Sequence, residues 1–324
     1  MKKLFFATMA LFFISCSQDQ NFENDLTDQS LKKETPILAF ENWDHFYEEY
    51  NSISHLSQDK LASWVSKKNH NALLNSLNSP KELSNEQETD LNTLTNGLLA
   101  ILNKNQEFKI GEEIVYFTKG IFYSIEAKKI SNKSDWKKDL SNTKKIGNAS
   151  VRALSNENSE NMNKEIVMST SQIRADYQRE FIKNKYQACT GGPIIGRGGL
   201  YKYVHELQSR AFNVGYPNVV SELYLNVKLE WRGRRWKPAS EYRHITINVN
   251  GYVRDNINGN GPSSTNIRIN KSLSCINRDE RILLEDLVYP TNFGSAPKWF
   301  VSLSGTITQQ INKDNNKWSN YVSW

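Results

Sequence analysis

The densest group of side chains that could do chemistry lies in the segment LEWRGRRWKPASEYRH, residues 229–244. Aromatic and cationic side chains alternate there. Aromatic faces can stack on sugar rings, and guanidinium groups hold carboxylates or sulfates through paired hydrogen bonds. The segment is therefore a candidate binding site for an acidic glycan, with the members Trp231, Arg232, Arg234, Arg235, Trp236, Tyr242 and Arg243.

The same segment also has a purely structural interpretation. Arg232-Gly233-Arg234 can form the turn of a β-hairpin that directs tryptophan side chains into the core and arginine side chains into water. The arginines would then only keep the surface soluble. The sequence leaves both interpretations open.

Groups suited to acid–base catalysis are present but scattered. They are His205, His244, Asp279, Glu280, Glu285 and Asp286. No spacing selects a catalytic pair among them. The stretch TGGPIIGRGG lacks the Lys-Ser/Thr of a phosphate-binding loop, and the HExxH motif is absent. The sequence therefore predicts no catalytic residue, no cofactor and no metal.

The first sixteen residues have the pattern of a bacterial lipoprotein signal. Two lysines precede an apolar run over residues 4–14, which is shorter than the roughly 20 residues that a membrane-spanning helix needs. The run ends in Phe-Ile-Ser-Cys, which resembles the lipobox cleaved by signal peptidase II. We expect residues 1–15 to be removed and acyl chains on Cys16 to attach the protein to the bilayer. An ordinary secretory signal cleaved elsewhere is the alternative.

Export would place the two remaining cysteines, Cys189 and Cys275, in an oxidising compartment. A disulfide between them is one expectation. No histidine lies nearby in sequence, so these cysteines indicate neither a zinc site nor a thiol nucleophile.

Charge divides the chain into two unlike halves. Residues 17–165 carry 18 Lys and Arg against 23 Asp and Glu, a net charge of −5, whereas residues 166–324 carry 21 against 12, a net charge of +9. Clustered positive charge attracts anions, so an acidic glycan is a candidate partner of the second half. A merely solvated basic face is the alternative, and nucleic acid is not an expected partner outside the cell.

The first half of the mature chain changes from a helical period to a strand period. Aromatic and apolar residues between Phe40 and Ile53 recur every three or four positions, and Ser57 is placed to cap a second helix. Over residues 107–127 apolar residues alternate around a turn at Lys119-Gly120. These patterns predict an α-rich region with a small β-hairpin over residues 37–130.

The second half is dominated by strand signals. Residues 131–170 are rich in Asn, Ser and Lys, which indicates a linker. Beyond it, period-two alternation is clear in Leu223 to Trp231 and in Ile245 to Val249. The sequence therefore predicts an antiparallel β-sandwich-like domain over residues 171–324 and an α+β fold for the whole chain.

Two segments carry a resemblance to a known group of proteins. The helical AFENWDHFYEEYNSISHLSQDKLASWVSKKNHNALLNSL and the following KIGEEIVYFTKGIFYSI resemble uncharacterised envelope lipoproteins of Bacteroidota. In those proteins a helical segment ending near a Ser-Leu pair, here Ser76-Leu77, precedes an IGD-like strand pair, here Ile110-Gly111-Glu112 with Glu in place of Asp. The resemblance covers about residues 1–20 and 37–126, and it implies a lipid-anchored envelope protein without known catalytic residues.

These patterns together predict an exported protein with a signal peptide over residues 1–15 and a flexible tether over 16–36. We expect it to be anchored in the cell envelope, at the outer membrane, and to act as a non-enzymatic binding or adhesion module. Two alternatives remain: an envelope hydrolase acting on glycan or peptide, and a structural partner of another envelope protein.

Overall fold

A computed structural model describes residues 36–78, 94–130, 136–150, 166–169, 172–196, 198–215, 217–257, 264–291 and 298–324. The predicted signal peptide, the lipidation site Cys16 and nearly all of the predicted tether lie outside the described residues.

The α-helices lie in the first third of the chain. They are α1 (Trp43–Ser54), α2 (Gln58–Lys67) and α3 (Asn96–Ile101), and short 3₁₀ turns span Leu73–Asn78, Ala127–Lys129 and Leu140–Asn142. The side chain of Asn42 caps α1 by accepting a hydrogen bond from the backbone of His45, and Thr95 caps α3 in the same way. Within the described residues, no helix is long and apolar enough to cross a membrane.

Strands make up most of the described chain. They are β1 (Ala39–Phe40), β2 (Glu107–Ile110), β3 (Glu113–Thr118), β4 (Ile121–Glu126), β5 (Lys144–Ser150), β6 (Ile166–Ser169), β7 (Ile173–Lys183), β8 (Gly198–Val214), β9 (Asn218–Arg232), β10 (Trp236–Pro238), β11 (Arg243–Asp255), β12 (Ser264–Ile276), β13 (Glu280–Pro290), β14 (Lys298–Ile311) and β15 (Trp318–Ser323).

These strands form two sheets. The large sheet has the order β1-β2-β3-β4-β5-β8-β9-β10, with β7 also paired to β8 and β13 also paired to β9. The small sheet has the order β12-β11-β14-β15, with β6 also paired to β14. Apart from the parallel β1–β2 pair, the strand pairs are antiparallel.

The long strands β8 and β9 are covered on both faces. On one face, the apolar side chains of Leu207, Leu223 and Leu225 pack in a core with Ile247 and Trp299 of the small sheet. Further along the same two strands, Phe212, Val214 and Val220 belong to a second core that contains the helices and β2–β4. The β8–β9 pair is therefore the element that both cores share.

The predicted α+β fold, with an α-rich N-terminal region and a separate β-sandwich-like C-terminal domain, is wrong. The structure is mostly β, with its sheets curled into a half-barrel, although the C-terminal half is β-rich as expected. The N-terminal region supplies β1–β5 to the same sheet as β8 and β9. The predicted linker, residues 131–170, includes β5 and β6.

The junction between the early and late strands explains this outcome. β5 pairs with the end of β8, where Gly147 faces Val214. A Cβ atom at Gly147 would lie 2.0 Å from the carbonyl oxygen of Asn213, so only glycine allows this close approach. β5 extends the predicted hairpin by pairing with β4, and its other edge pairs with residues of β8 more than sixty positions later in the chain.

Candidate functional site

The predicted aromatic and cationic segment forms a β-hairpin. β9 ends at Arg232, β10 begins at Trp236, and the two residues are partners in the antiparallel register. Arg232, Arg234 and Arg235 are exposed at the turn. The structure therefore brings three of the predicted arginines to one exposed tip.

The two tryptophans of the segment lie on opposite faces of this hairpin. Trp236 is opposite Arg232, whereas Trp231 is opposite Lys237, and successive residues of a strand point to opposite faces. Trp231 is 40% exposed and covers Gly233, whereas Trp236 is half-buried. A single ligand lying on one face of the sheet cannot stack on both rings.

Cations of the protein already contact the ring of Trp236. The guanidinium of Arg232 lies 5.5 Å from the ring centroid, and Nζ of Lys202 on β8 lies 4.5 Å from it. Lys202 also forms an ion pair with Glu230 at 2.9 Å. Lys202 is absent from the sequence prediction because it joins the hairpin only through the pairing of β8 with β9.

The remaining two predicted residues do not lie at the tip. Tyr242 is half-buried, and its carbonyl oxygen accepts a hydrogen bond from the backbone of Asn312. Arg243 is fully buried and donates to the carbonyl of Val227, at 3.2 Å, and to Asp279, at 3.4 Å. Burial lowers the pKa of Arg243, while Asp279 opposes that shift. Arg243 is therefore a structural residue of the interior and not a contact for an external ligand.

Three of the four candidate catalytic carboxylates contact separate basic side chains, whereas Glu285 accepts a hydrogen bond from the backbone of Asp286 at 3.2 Å. Asp279 accepts from the backbone of Leu229 as well as from Arg243, and Glu280 is paired with Lys271. Nε2 of His55, directly after α1, lies 3.7 Å from a carboxylate oxygen of Asp286, an ion pair only when the histidine is protonated. These contacts join separate strands and helices, and among the described residues no side-chain hydrogen bond or ion pair links two of the candidate catalytic side chains.

The two candidate histidines are also held apart from these carboxylates. His205 is fully buried and stacks on Trp318, with ring centroids 4.4 Å apart. Burial lowers its pKa to about 3, so its imidazole is neutral at physiological pH. His244 is half-buried and lies 3.4 Å from the side-chain oxygen of Asn312. Neither histidine contacts a carboxylate in the described part of the chain.

A row of polar side chains is buried on the face of β8–β9 beneath the helices. In register, Glu206 faces Asn226, Gln208 faces Tyr224 and Arg210 faces Glu222, and all six are buried. The row lies in the second half of β8 and the first part of β9. Period-two alternation alone would assign these residues to a solvent-exposed face.

The helical layer covers this polar row and forms hydrogen bonds with it. Tyr50 of α1 and Tyr224 both donate their hydroxyl groups to Glu222, and Tyr50 also bonds to Thr95 at 3.0 Å. Arg210 donates to the carbonyl of Leu94, just before α3. The polar row therefore fixes the positions of α1 and α3 on the sheet.

Burial raises the pKa of Glu222 to about 8, and the nearby charge of Asp286 acts in the same direction. The hydroxyl of Tyr50 and the charge of Arg210 partly offset this shift. Glu222 is therefore largely uncharged at pH 7, which removes much of the cost of burying it.

Two further features concern the predicted cysteine and metal chemistry. Cys189 and Cys275 form a disulfide with Cα atoms 5.7 Å apart, which links the segment after β7 to the end of β12. Among the residues that the structure describes, no group of three or more His, Cys, Asp or Glu side chains is arranged to hold a metal ion.

Comparison with known proteins adds little to this description. No family profile matches the chain, and no curated protein matches it. The crystal structure of a DUF4848 family protein from Bacteroides thetaiotaomicron VPI-5482 aligns with 89% of this chain and 97% of its own, at 9% sequence identity and a TM-score of 0.19. A likeness at this TM-score assigns neither a fold nor a function.

The buried carboxyl of Glu222 makes a testable contribution to pH-dependent stability. Because its folded pKa of about 8 exceeds the ordinary value of 4.5, the folded state binds the proton more tightly than the unfolded state. Its contribution to the free energy of unfolding is therefore full below pH 4.5 and is lost as pH rises through about 8. We expect Glu222→Gln to be destabilising at pH 5, and the deficit relative to wild type to shrink by pH 8.

Urea denaturation at several pH values measures this difference. Glu180→Gln is the matched control, because Glu180 is exposed on β7. A Glu222→Gln deficit that stays constant from pH 5 to pH 8, or grows, would contradict the raised pKa.

Proposed function

We propose that this chain is a non-enzymatic binding module of the cell envelope, anchored through acyl chains on Cys16. Three observations support the proposal: the signal and lipobox pattern, the exposed arginines of the β9–β10 hairpin, and the pairing of the candidate catalytic carboxylates Asp279 and Glu280 with Arg243 and Lys271. An envelope hydrolase is disfavoured, because His205 is buried without access to water or to a carboxylate.

The ligand class that fits the hairpin tip is an acidic glycan. Arg232 and Arg234 are exposed at the tip, and Glu230, the acid that precedes Trp231 on β9, is paired with Lys202. The tip therefore concentrates guanidinium groups at one exposed turn. Guanidinium groups bind carboxylate and sulfate in a bidentate manner, which matches uronic acids and sulfated sugars. The exposed arginine tip is the observation that carries the proposal.

The tip predicts salt-sensitive binding to an anionic glycan. We expect the double variant Arg232→Ala/Arg234→Ala to bind immobilised heparin about tenfold more weakly than wild type at low salt, because two charge-assisted contacts are lost. Surface plasmon resonance measures the affinities. Binding should also weaken as salt is raised, since exposed charges are screened.

Lys313→Ala/Lys317→Ala is the matched control, because it also removes two exposed cations, here on the turn between β14 and β15. Equal losses in the lysine and arginine double variants would mean that net charge, and not the tip, attracts the ligand. Absence of heparin binding by the wild type would remove the glycan proposal altogether.

Acylation of Cys16 has its own readout. We expect intact-mass analysis of the detergent-extracted protein to show a chain that starts at Cys16 and carries the added mass of acyl chains. The variant Cys16→Ser should lack this mass and leave the membrane fraction. A wild-type protein that is unlipidated, or cleaved at another site, would refute the anchor.

A further inference from the structure

Two arginine side chains are buried on the face of the large sheet that lies beneath the helices. Arg210 of β8 is 2% exposed, and Arg281 of β13 is 7% exposed. The register places Arg281 opposite Asn226 of β9, so its side chain lies on the same face as the buried polar row. We call Arg210, Arg281 and Asn226 together the buried arginine site.

The two guanidinium groups are close enough to act on each other. Burial lowers the pKa of Arg210 well below its ordinary value, and the positive charge of Arg281 lowers it further. Burial also lowers the pKa of Arg281. A guanidinium group nevertheless stays protonated inside proteins. The site therefore holds two like charges that need a counter-charge.

Three carboxylates lie near the two arginines, and each is already engaged. Glu206 is paired with Lys228 on β9, and Asp279 is bound to Arg243. Burial raises the pKa of Glu222 to about 8, so this side chain is largely uncharged at pH 7. Among the described residues, the buried arginine site therefore keeps an excess of positive charge.

The arginines also carry N–H groups that are not used. The two terminal nitrogens of Arg210 donate to the carbonyl of Leu94 and to Gln208, but its Nε has no acceptor among the residues that the structure describes. Nη1 of Arg281 is likewise buried without a partner in the described part of the chain. Unsatisfied buried donors are costly, and more so when they are charged.

Asn226 adds an acceptor to these donors. Its Nδ2 donates to Glu206 at 3.0 Å and to Gln208 at 2.8 Å, and both of these residues are on β8. Oδ1 is on the other side of the amide and is therefore turned toward β13, where Arg281 lies opposite. Within the described ranges, this oxygen has no donor. The site thus offers charged donors and one neutral acceptor.

These groups select a small oxyanion as the ligand. A water molecule would satisfy hydrogen bonds but would supply no counter-charge. An anion supplies both, and guanidinium groups bind oxyanions through charge-assisted hydrogen bonds. Oδ1 of Asn226 adds a further requirement, because its partner must carry a proton. Hydrogen phosphate carries one at pH 7, whereas sulfate does not.

We propose that the buried arginine site binds one hydrogen phosphate ion, with its oxygens on Arg210 and Arg281 and its hydroxyl on Asn226. Because both arginines are almost wholly buried, the ligand is the free ion and not the phosphate group of a larger molecule. The ion links β8 to β13 across β9. The site is separate from the arginine tip and does not depend on the glycan proposed there.

Isothermal titration calorimetry of the whole mature chain with sodium phosphate at pH 7 tests the binding. We expect saturable uptake of one ion per chain. Sulfate should bind about tenfold more weakly, because it leaves Oδ1 of Asn226 without a donor. Glucose 6-phosphate should not displace phosphate, because its sugar does not fit a buried site.

Arg281→Met is the informative variant, because methionine is of similar length but has neither the charge nor the N–H groups. We expect it to bind phosphate about tenfold more weakly than wild type. Arg278→Met is the matched control. Arg278 donates to Asp59 and Gln58 of α2, so its removal should leave the phosphate affinity unchanged.

The unfolding temperature gives a second readout, which separates binding from a folding defect. Without phosphate, Arg281→Met removes an unbalanced buried charge and should melt at a higher temperature than wild type. With saturating phosphate, wild type gains the binding free energy, and the order should reverse. An arginine with a purely structural role would make the variant less stable in both conditions, which would overturn the proposal.

The calorimetric outcomes are equally decisive. No saturable phosphate binding, or equal binding by wild type and Arg281→Met, would overturn the proposal. Sulfate binding as tight as that of phosphate would refute the role of Asn226, and displacement by glucose 6-phosphate would refute the assignment to the free ion. The variant Arg232→Ala/Arg234→Ala should keep phosphate binding while it loses heparin binding, so failure at the arginine tip is distinguishable from failure here.

Discussion

The structure depends on one constraint: the β8–β9 pair carries ionisable groups on a face that is buried. Glu222 and Arg210 lie opposite each other there, and both are removed from water. Buried polar groups are costly unless they are hydrogen-bonded. The hydroxyls of Tyr50 and Tyr224 donate to Glu222 and the carbonyl of Leu94 accepts from Arg210, so the helical layer supplies partners that the buried groups of the sheet need.

This constraint also decides which groups remain available for function. Carboxylates and histidines that could have formed an active site are instead used inside the fold: Asp279 holds Arg243, Glu280 holds Lys271, and His205 is stacked in the core. What remains at the surface is suited to recognition. The arginine tip offers concentrated positive charge.

Local elements could be predicted from the sequence because their signals are local. The helical period predicts α1 and α2, and the turn at Lys119-Gly120 predicts the β3–β4 hairpin. Ser57 lies at the N-cap position of α2 as predicted, but its side chain makes no capping hydrogen bond. The overall fold could not be predicted in this way. Pairing of β5 with β8 joins segments more than sixty residues apart, and no local pattern encodes it.

In the candidate site, too, local patterns could be predicted from the sequence and strand pairing could not. Alternation says which residues of a strand share a face, but not what covers that face. Alternation therefore predicts that Tyr224 and Asn226 lie on the solvent-exposed face of β9, although both are fully buried. For Arg243 the sequence did contain an indication of burial. Arg243 is an odd-numbered residue of β11, like Ile245 and Ile247, so strand alternation points its side chain into the core. The role of Lys202 depends on strand pairing and carried no such signal.

Pulsed hydrogen exchange across a urea titration, read by mass spectrometry, tests most directly whether the shared β8–β9 pair makes the described chain one cooperative structure. We predict that peptides from α1, from β3–β4 and from β9–β11 lose protection from hydrogen exchange at the same urea concentration. The buried polar row and the β5–β8 pairing connect these segments, so they should unfold together. Loss of protection in α1 and β3–β4 at a clearly lower urea concentration than in β9–β11 would contradict it.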